Sequence, residues 1–301
     1  MTQDAPAGQP LHRLLALYLL IATPPLLLPQ RPAAWPLLLA LHALAFLIAF
    51  PPGFLRAGLE RARSAFPRLL RFLLDWYPVA LIPALYTELA PLNAAVHGGH
   101  YFDDIVLGWE QAVFGGQPSR DLAAAAPRLW LSELLHGGYL SYYFIIYVPP
   151  ILLYATGRYA DFRRAVFALM LAFFLHYVFF IYFPVQGPRY LFPAPGGVLA
   201  EGPLYRFTHM LLEAGSSQGA AFPSSHVGVS VAQTVIAFRF LGRLAPVLGL
   251  LTLMLALGAV YGGFHYAIDA VCGALLGGLA VLLAPHAYRV LGGRARGGRV
   301  A

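Results

Sequence analysis

Two short segments place polar, titratable side chains beside long apolar runs. One is Pro-Ser-Ser-His at residues 223–226, which opens an apolar run, and the other holds His265 and Asp269, four residues apart. Polar groups at the mouth of a hydrophobic bundle are costly to place and commonly have a function. Because residues four apart share one face of a helix, the Asp269 carboxylate can accept from one nitrogen of the His265 ring and leave the other nitrogen free to act as a nucleophile.

Phosphoryl transfer through a covalent enzyme intermediate is the chemistry that this set of side chains would support. Such a reaction needs a nucleophile, a proton donor for the leaving oxygen and fixed positive charge for the phosphate oxygens. Ser224 and Ser225 precede an apolar helix, whose free N–H groups and dipole attract anions. His226 follows in the first turn, where it could protonate a departing alkoxide. Arg189, within Gly-Pro-Arg-Tyr, offers a permanent charge whose forked geometry suits phosphate oxygens.

The composition is that of an integral membrane protein. Of the 301 residues, 59% are hydrophobic and only 11% are charged, and the mean hydropathy is +0.67, whereas a soluble domain carries about 25% charged residues. Apolar runs of about 20 residues indicate helices, because the strands of a barrel would show shorter, alternating segments. We therefore expect an all-α membrane protein. The single cysteine, Cys272, excludes an internal disulfide.

Eight apolar runs predict about eight transmembrane helices packed as a helical bundle. We divide the chain accordingly into N-terminal membrane helices with a basic amphipathic segment (residues 1–89), a catalytic membrane domain (90–285) and a basic cytoplasmic tail (286–301). No internal repeat and no second soluble domain is visible. The predicted spans are residues 11–28, 34–50, 76–89, 139–154, 165–183, 224–240, 244–260 and 266–283.

Two regions outside the predicted spans contain unusual side chains. Residues 54–74 alternate five arginines with leucines and phenylalanines, which predicts an amphipathic helix lying on anionic lipid, with no role in binding nucleic acid. Residues 90–136 contain His97, His100, Asp103 and Asp104, whose types would also suit a metal ion. We interpret these four as a polar surface loop near the path of lipid access and expect no metal site.

The arginines predict the orientation of the bundle. If the N-terminus is cytoplasmic, fifteen of the 20 arginines fall on inner segments. Positively charged residues favour the cytoplasmic side, so this bias predicts that both termini lie inside. Arg189, His226 and His265 then face outward. We expect a multi-pass protein of the bacterial inner or plasma membrane, with its active site on the extracytoplasmic side.

The polar segments resemble the motifs of the type 2 phosphatidic acid phosphatase (PAP2) superfamily and, within it, of the inositol phosphorylceramide synthase-like branch. Residues 223–226 resemble a Pro-Ser-Gly-His motif, with Ser225 in place of glycine. His265 and Asp269 are similar to the histidine and aspartate of a second motif. Gly-Pro-Arg-Tyr at residues 187–190 is similar to the basic motif in the form seen in that branch. The resemblance covers roughly residues 90–283.

This resemblance implies a role for each site residue. His265 would be the nucleophile, Asp269 its orienting partner and His226 the general acid. The phosphate would be held by Arg189 and by the backbone of residues 224–225, and no metal or cofactor would be required. A phospholipid or lipid phosphate would be the substrate. The oligomeric state is left open, as is the choice between hydrolysis and transfer to an alcohol.

The chain also departs from the superfamily pattern. Gly258 and Ala259 occupy the positions of a Ser-Arg pair, and the chain contains no lysine, so that two kinds of phosphate ligand are missing. We expect a metal-independent phosphoric ester hydrolase or lipid phosphotransferase that forms a phosphohistidine at the outer membrane face. The alternative is a non-catalytic lipid carrier or transporter built on a degenerate fold, although carriers of this kind usually show repeated halves.

Overall fold

A computed structural model describes residues 9–292 of the chain, and this part is helical. Within it no strand is formed, and extended backbone pairs only at one parallel bridge, between Val185 and Ala220. The expected all-α class is confirmed. The helices are α1 (Gln9–Ala22), α2 (Trp35–Ala49), α3 (Gly53–Ala65), α4 (Pro67–Thr87), α5 (Leu89–His97), α6 (Asp103–Phe114), α7 (Pro118–Ala125), α8 (Leu129–Leu140), α9 (Tyr142–Ala155), α10 (Tyr159–Tyr182), α11 (Pro188–Leu191), α12 (Pro203–Gly215), α13 (Ser225–Phe240), α14 (Ala245–Tyr261) and α15 (Ala267–Val290).

Six helical stretches of the described residues are long and apolar enough to cross a membrane. A seventh is possible if α2 and the start of α3, which meet at an angle of 63°, count as one broken span. Together these stretches fit an integral membrane protein. The six are Pro10–Leu27, Pro67–Thr87, Leu129–Ala155, Tyr159–Tyr182, Gly242–Tyr261 and Ala267–Val290.

The count therefore differs from the predicted eight, although a helix lies in each of the eight predicted runs. Two predicted runs lack an unbroken span. One is α2, which counts only together with the start of α3. The other is α13, which has 16 residues and a length of about 24 Å, short of the ~30 Å hydrocarbon core. The prediction that both termini are cytoplasmic stays a prediction. The predicted tail begins within α15, which continues to Val290, and residues 293–301 lie outside the described part.

The basic amphipathic segment is shorter than predicted. It corresponds to α3, which ends at Ala65, and α4 begins at Pro67. Proline at the first position of a helix has a suitable φ and needs no N–H acceptor, and the residue before it is pushed out of the helical region. Arg68 and Arg71 consequently belong to a candidate membrane span that starts about nine residues before the predicted position of Trp76.

The core of the bundle forms around α10, most of whose apolar residues are buried. The helices that pack on it include α13 and α15, and these two touch through their backbones. A Cβ atom added at Gly277 would meet the carbonyl of Gly228, and one added at Gly273 would meet the carbonyl of Ser224. Small residues of this kind let helices in a membrane approach closely. This approach places the N-terminal ends of α13 and α15 side by side.

Candidate active site

Three interhelical segments meet at one end of the bundle, namely residues 183–187, 219–224 and 262–266. The backbone of Val185 bonds to both Gly219 and Ala221, at N···O distances of 3.2 and 2.9 Å. The amide of Ser224 donates to the backbone carbonyl of Asp269 at 2.9 Å. These bonds hold the segments that precede α11, α13 and α15 in fixed positions relative to one another.

The two predicted catalytic histidines lie together in this region. The ring centroids of His226 and His265 are 5.7 Å apart. His226 is in the first turn of α13, as predicted from the apolar run that follows it. His265 precedes α15, and burial lowers its pKa to about 4, although an interaction with the Ala221 backbone opposes this shift. A neutral imidazole is the form that can attack phosphorus.

Asp269 faces His265, but the geometry differs from the predicted pair on one helical face. His265 lies outside α15, which begins at Ala267, and its Nδ1 is 3.4 Å from Oδ2 of Asp269. The same Oδ2 accepts a hydrogen bond of 2.9 Å from the amide of Tyr266, which caps the helix. Asp269 thus orients the segment that holds His265 and places a carboxylate beside its ring. Its own side chain is fully buried.

The two serines lie where the sequence placed them, at the start of α13. Ser224 is the N-cap residue, and its hydroxyl accepts from the amide of Val227 at 3.4 Å. Ser224 and Ser225 are both buried. The first amides of a helix lack acceptors within the helix and carry the positive end of its dipole. An anion beside His226 would therefore find hydrogen-bond donors and favourable charge at this point.

Arg189 reaches the same region from α11. Its guanidinium donates to the Ser216 hydroxyl at 2.9 Å. Burial lowers the pKa of the His209 ring to about 4, and the neighbouring His136 and Arg189 add to this shift. Gly187, with φ of +88°, is packed so closely that an added Cβ would lie 2.9 Å from Cβ of Ala221 and 3.5 Å from the carbonyl of Phe264. The backbone at Gly187, two residues before Arg189, therefore lies against the segments that precede His226 and His265. Among residues 9–292 Arg189 has no carboxylate partner.

An open cavity of about 330 Å³ adjoins these side chains. Arg189 and His209 line it, and so do Arg120 and Ser119 of α7. Gly262 and Gly263, just before His265, complete its inner wall. Ser119 is buried, and its hydroxyl has no hydrogen-bond partner in the described part of the chain. The cavity thus presents two guanidinium groups and further polar atoms beside the segment that leads into His265, although neither His226 nor His265 lines it.

Aromatic rings surround His226. The ring of Tyr142 lies 4.5 Å from it and that of Tyr139 lies 5.2 Å from it, between centroids. Tyr139 also packs on Phe264, the neighbour of His265, at 4.7 Å. Nothing in the spacing of these two tyrosines distinguishes them from the other aromatic residues of the predicted fourth span. They fix the position of the His226 ring and exclude solvent from one side of it.

The interpretation of Asp103 as part of a polar surface loop is wrong. Asp103 begins α6 and is buried, and its carboxylate accepts from the amides of Gln186 and Gly187, each at 2.9 Å. It also accepts from the Tyr266 hydroxyl at 3.1 Å. A loop rich in His and Asp gives no sequence signal of these contacts, because all partners are more than 80 residues away. Asp103 thus links the segment that leads to Arg189 with the segment that holds His265.

Glu110, on the same helix, supports the other side of the site. Its two carboxylate oxygens accept from the amides of Ala267 and Ile268, at 3.0 and 2.8 Å. These are the first amides of α15, so the negative charge also complements the helix dipole. Burial raises the pKa of Glu110, and the two amide bonds oppose this shift. Through Asp103 and Glu110, α6 therefore holds the start of α15 in place.

The structure also explains why a serine is absent at position 258. An added Cβ at Gly258 would meet the carbonyl of Leu135, because α14 contacts α8 there. The next residue, Ala259, accepts from the amides of Phe264 and His265 at 2.9 and 3.0 Å. These two positions support the turn that holds His265 in this chain.

A comparison with protein families matches the part of the chain that contains this site. The model of the PAP2 superfamily matches residues 112–283, which contain the arginine, both histidines and the aspartate described above. This range starts near the end of α6 and ends within α15. The searches of curated proteins and of solved structures found no match.

Proposed function

The chain belongs to the PAP2 superfamily, and we propose that it is a membrane enzyme that breaks or exchanges lipid phosphoester bonds through a phosphohistidine. The observation that carries this proposal is the pair formed by half-buried His226 and buried His265, with ring centroids 5.7 Å apart and Asp269 beside the second ring. A substrate phosphate between the two rings would contact a nucleophile on one side and a proton donor on the other.

In the first step, the nitrogen of His265 that faces away from Asp269 attacks phosphorus. A P–N bond forms while the bond from phosphorus to the leaving oxygen breaks, and His226, protonated when the anionic substrate is bound, gives its proton to that oxygen. Asp269 stabilises the positive charge that develops on the His265 ring. The products of this step are phosphohistidine and a lipid alcohol.

In the second step, neutral His226 removes a proton from water or from an acceptor alcohol. The resulting oxygen attacks phosphorus, the P–N bond breaks and His265 is regenerated. Water as acceptor makes the protein a phosphatase, and an alcohol makes it a phosphotransferase. Arg189 and the first amides of α13 supply the charge that stabilises the phosphate oxygens in both steps. No step requires a divalent metal.

We further propose the inositol phosphorylceramide synthase-like branch and an outward-facing site. The Gly-Pro-Arg-Tyr segment and the absence of lysine and of the Ser-Arg pair support this branch. The cavity beside Arg189 offers space for an acceptor or a leaving headgroup. The arginine bias along the sequence supports the orientation. A lipid phosphate or phospholipid within a plasma membrane is the substrate that fits these features.

A product assay on purified protein tests this proposal. The substrates are a panel of lipid phosphates and phospholipids, each with and without ceramide or diacylglycerol as acceptor, in the presence and absence of EDTA. Free phosphate without acceptor identifies a phosphatase, and a new phospholipid only with acceptor identifies a transferase. Activity that EDTA abolishes and magnesium restores contradicts the metal-independent mechanism.

The control variants separate an enzyme from a lipid carrier, the alternative that the missing phosphate ligands favour. His226→Ala and His265→Ala should each remove turnover while the protein still inserts and elutes as a single species. If both variants move lipid between vesicles at the wild-type rate and no substrate is converted by the wild type, the carrier function replaces the proposal.

A further inference from the structure

A second cavity, of about 320 Å³, lies at the end of the bundle opposite to the candidate active site. It is formed by α10, α13 and α15, the helices whose other ends meet at the histidine pair. Three arginines line it, Arg164 near the start of α10 and Arg239 and Arg289 near the ends of α13 and α15. Asp269 and Arg289 lie about 30 Å apart at 1.5 Å per residue, so the two sites are separate.

The positive charge at this cavity is only partly neutralised. Arg164 is 3.7 Å from Asp161, but that carboxylate is bonded more closely by Arg158, at 2.7 Å. Arg239 and Arg289 have no carboxylate within ion-pair distance in the described part of the chain. The cavity therefore has an excess of positive charge that an anionic ligand could balance.

An arginine near the end of a helix commonly bonds the last free carbonyls of that helix. Here other residues do so. Arg158 donates to the carbonyl of Phe240 at 2.6 Å, just beyond Arg239, and Arg13 donates to the carbonyl of Leu291 at 3.0 Å, just beyond Arg289. At both helix ends another arginine therefore bonds a terminal carbonyl, and Arg239 and Arg289 remain available for a ligand.

The floor of the cavity is apolar. Phe167, Ile236 and Val281 are buried beneath the arginines. The outer faces of α13 and α15 next to it expose large apolar side chains, such as Phe238 at 61% and Leu282 at 78%. A cationic rim above an apolar floor, open toward lipid-facing side chains, fits an amphiphile better than a soluble anion.

We propose that this cavity binds one anionic phospholipid of the surrounding bilayer. The headgroup phosphate would bond to Arg239 and Arg289, whose forked donors suit phosphate oxygens. The glycerol and ester region would lie on the apolar floor, and the acyl chains would follow α13 and α15 outward. This inference does not rest on the proposed catalytic function, since it concerns the opposite end of the bundle.

The test compares two double variants with equal loss of charge. Arg239→Gln with Arg289→Gln removes two cavity arginines, whereas Arg68→Gln with Arg243→Gln removes two exposed arginines that do not line the cavity. Each full-length protein is purified, delipidated and titrated with phosphatidylglycerol, and bound lipid is counted by native mass spectrometry. Phosphatidylcholine and glycerol 3-phosphate serve as the zwitterionic and soluble probes.

We expect one phosphatidylglycerol per wild-type chain, at least tenfold weaker binding in the cavity variant and less than threefold weakening in the control variant. Equal weakening in both variants would mean unspecific surface attraction and would overturn the proposal. Binding of phosphatidylcholine or glycerol 3-phosphate as tight as that of phosphatidylglycerol would overturn it as well. If the double cavity variant does not fold, each single variant should still weaken binding about threefold, and unchanged affinity in both contradicts the site.

Discussion

The chemistry at the residue scale depends on a histidine that its surroundings keep neutral. Burial penalises the imidazolium form of His265, so its pKa is about 4 in the folded protein against an ordinary value of 6.5. The Asp269 carboxylate lies 3.4 Å from Nδ1 and can stabilise the ring once a phosphoryl group makes it cationic. The His265 ring is thus neutral before it attacks phosphorus, and its positive charge is stabilised once the phosphoryl group is attached. A residue that carries a phosphoryl group needs both properties.

This low pKa predicts a pH dependence of stability. The unfolded chain binds a proton on His265 below pH 6.5 and the folded chain does not until about pH 4. The contribution of the neutral ring is therefore complete above pH 6.5 and is lost as the pH falls toward 4. The free energy of unfolding should fall by about 2 kcal/mol between pH 7 and pH 5 through this group. In detergent, acidification should lower the thermal unfolding midpoint less for His265→Asn than for the wild type. Equal falls in the two midpoints would contradict a buried neutral ring.

A substitution can separate the two roles of Asp269, which are its negative charge beside His265 and its capping of α15. Asparagine keeps an oxygen that accepts from the Tyr266 amide but removes the negative charge beside His265. We expect Asp269→Asn to reduce kcat by about 10² to 10⁴-fold, with a thermal unfolding midpoint close to that of the wild type. Wild-type turnover in this variant would show that the carboxylate serves only to cap α15.

At the scale of elements, the site depends on how closely α13 and α15 approach. The glycines at their crossing let the backbone before His226 contact the first turns of α15. Gly277 lies against the backbone of Gly228, whereas the adjacent Gly278 faces open space. These two neighbours provide a matched pair for testing the contact.

Gly277→Ala should separate the two helices and destabilise the protein, since its Cβ would collide with the Gly228 carbonyl. Gly278→Ala meets no atoms within 4 Å and should leave stability unchanged or raise it by about 0.5–1 kcal/mol, because alanine favours helix. Thermal unfolding and activity of both variants measure the difference. Equal behaviour of the two alanine variants would contradict close packing at this crossing.

Local sequence patterns were sufficient for some elements of the site and not for others. The serines, His226 and the pair of His265 and Asp269 lie near helix starts that proline and apolar runs mark in the sequence. Arg120, Asp103 and Glu110 were missed, because each acts through contacts with residues far along the chain. The bundle packing that makes these contacts cannot be deduced from spacing alone.

The whole molecule has two unlike ends, one with the histidine pair and one with a cluster of arginines. The apolar helices were predicted from composition, because each needs only a run of suitable length. The predicted count of eight spans is not confirmed, since six or seven helical stretches are long and apolar enough and α13, with 16 residues, is not among them.

The predicted orientation is testable with introduced cysteines in a Cys272→Ser background. Ala194→Cys lies in the exposed loop beside the active-site cavity, and Arg243→Cys lies between α13 and α14 at the opposite end. If the active site faces outward, an impermeant maleimide should label Ala194→Cys in intact cells and Arg243→Cys only after permeabilisation. The reverse pattern would place the active site on the cytoplasmic side.

The covalent intermediate is the central claim, and trapping it is the most direct test. A ³²P-labelled aryl phosphate, whose leaving group needs no proton, is mixed with the His226→Ala variant, quenched in base and digested. Because this variant lacks the base that activates the acceptor, label should accumulate on the peptide that contains His265, be lost in acid and be absent from a His226→Ala, His265→Ala double variant. Label on another residue, or turnover that persists in His265→Ala, would contradict a phosphohistidine at position 265.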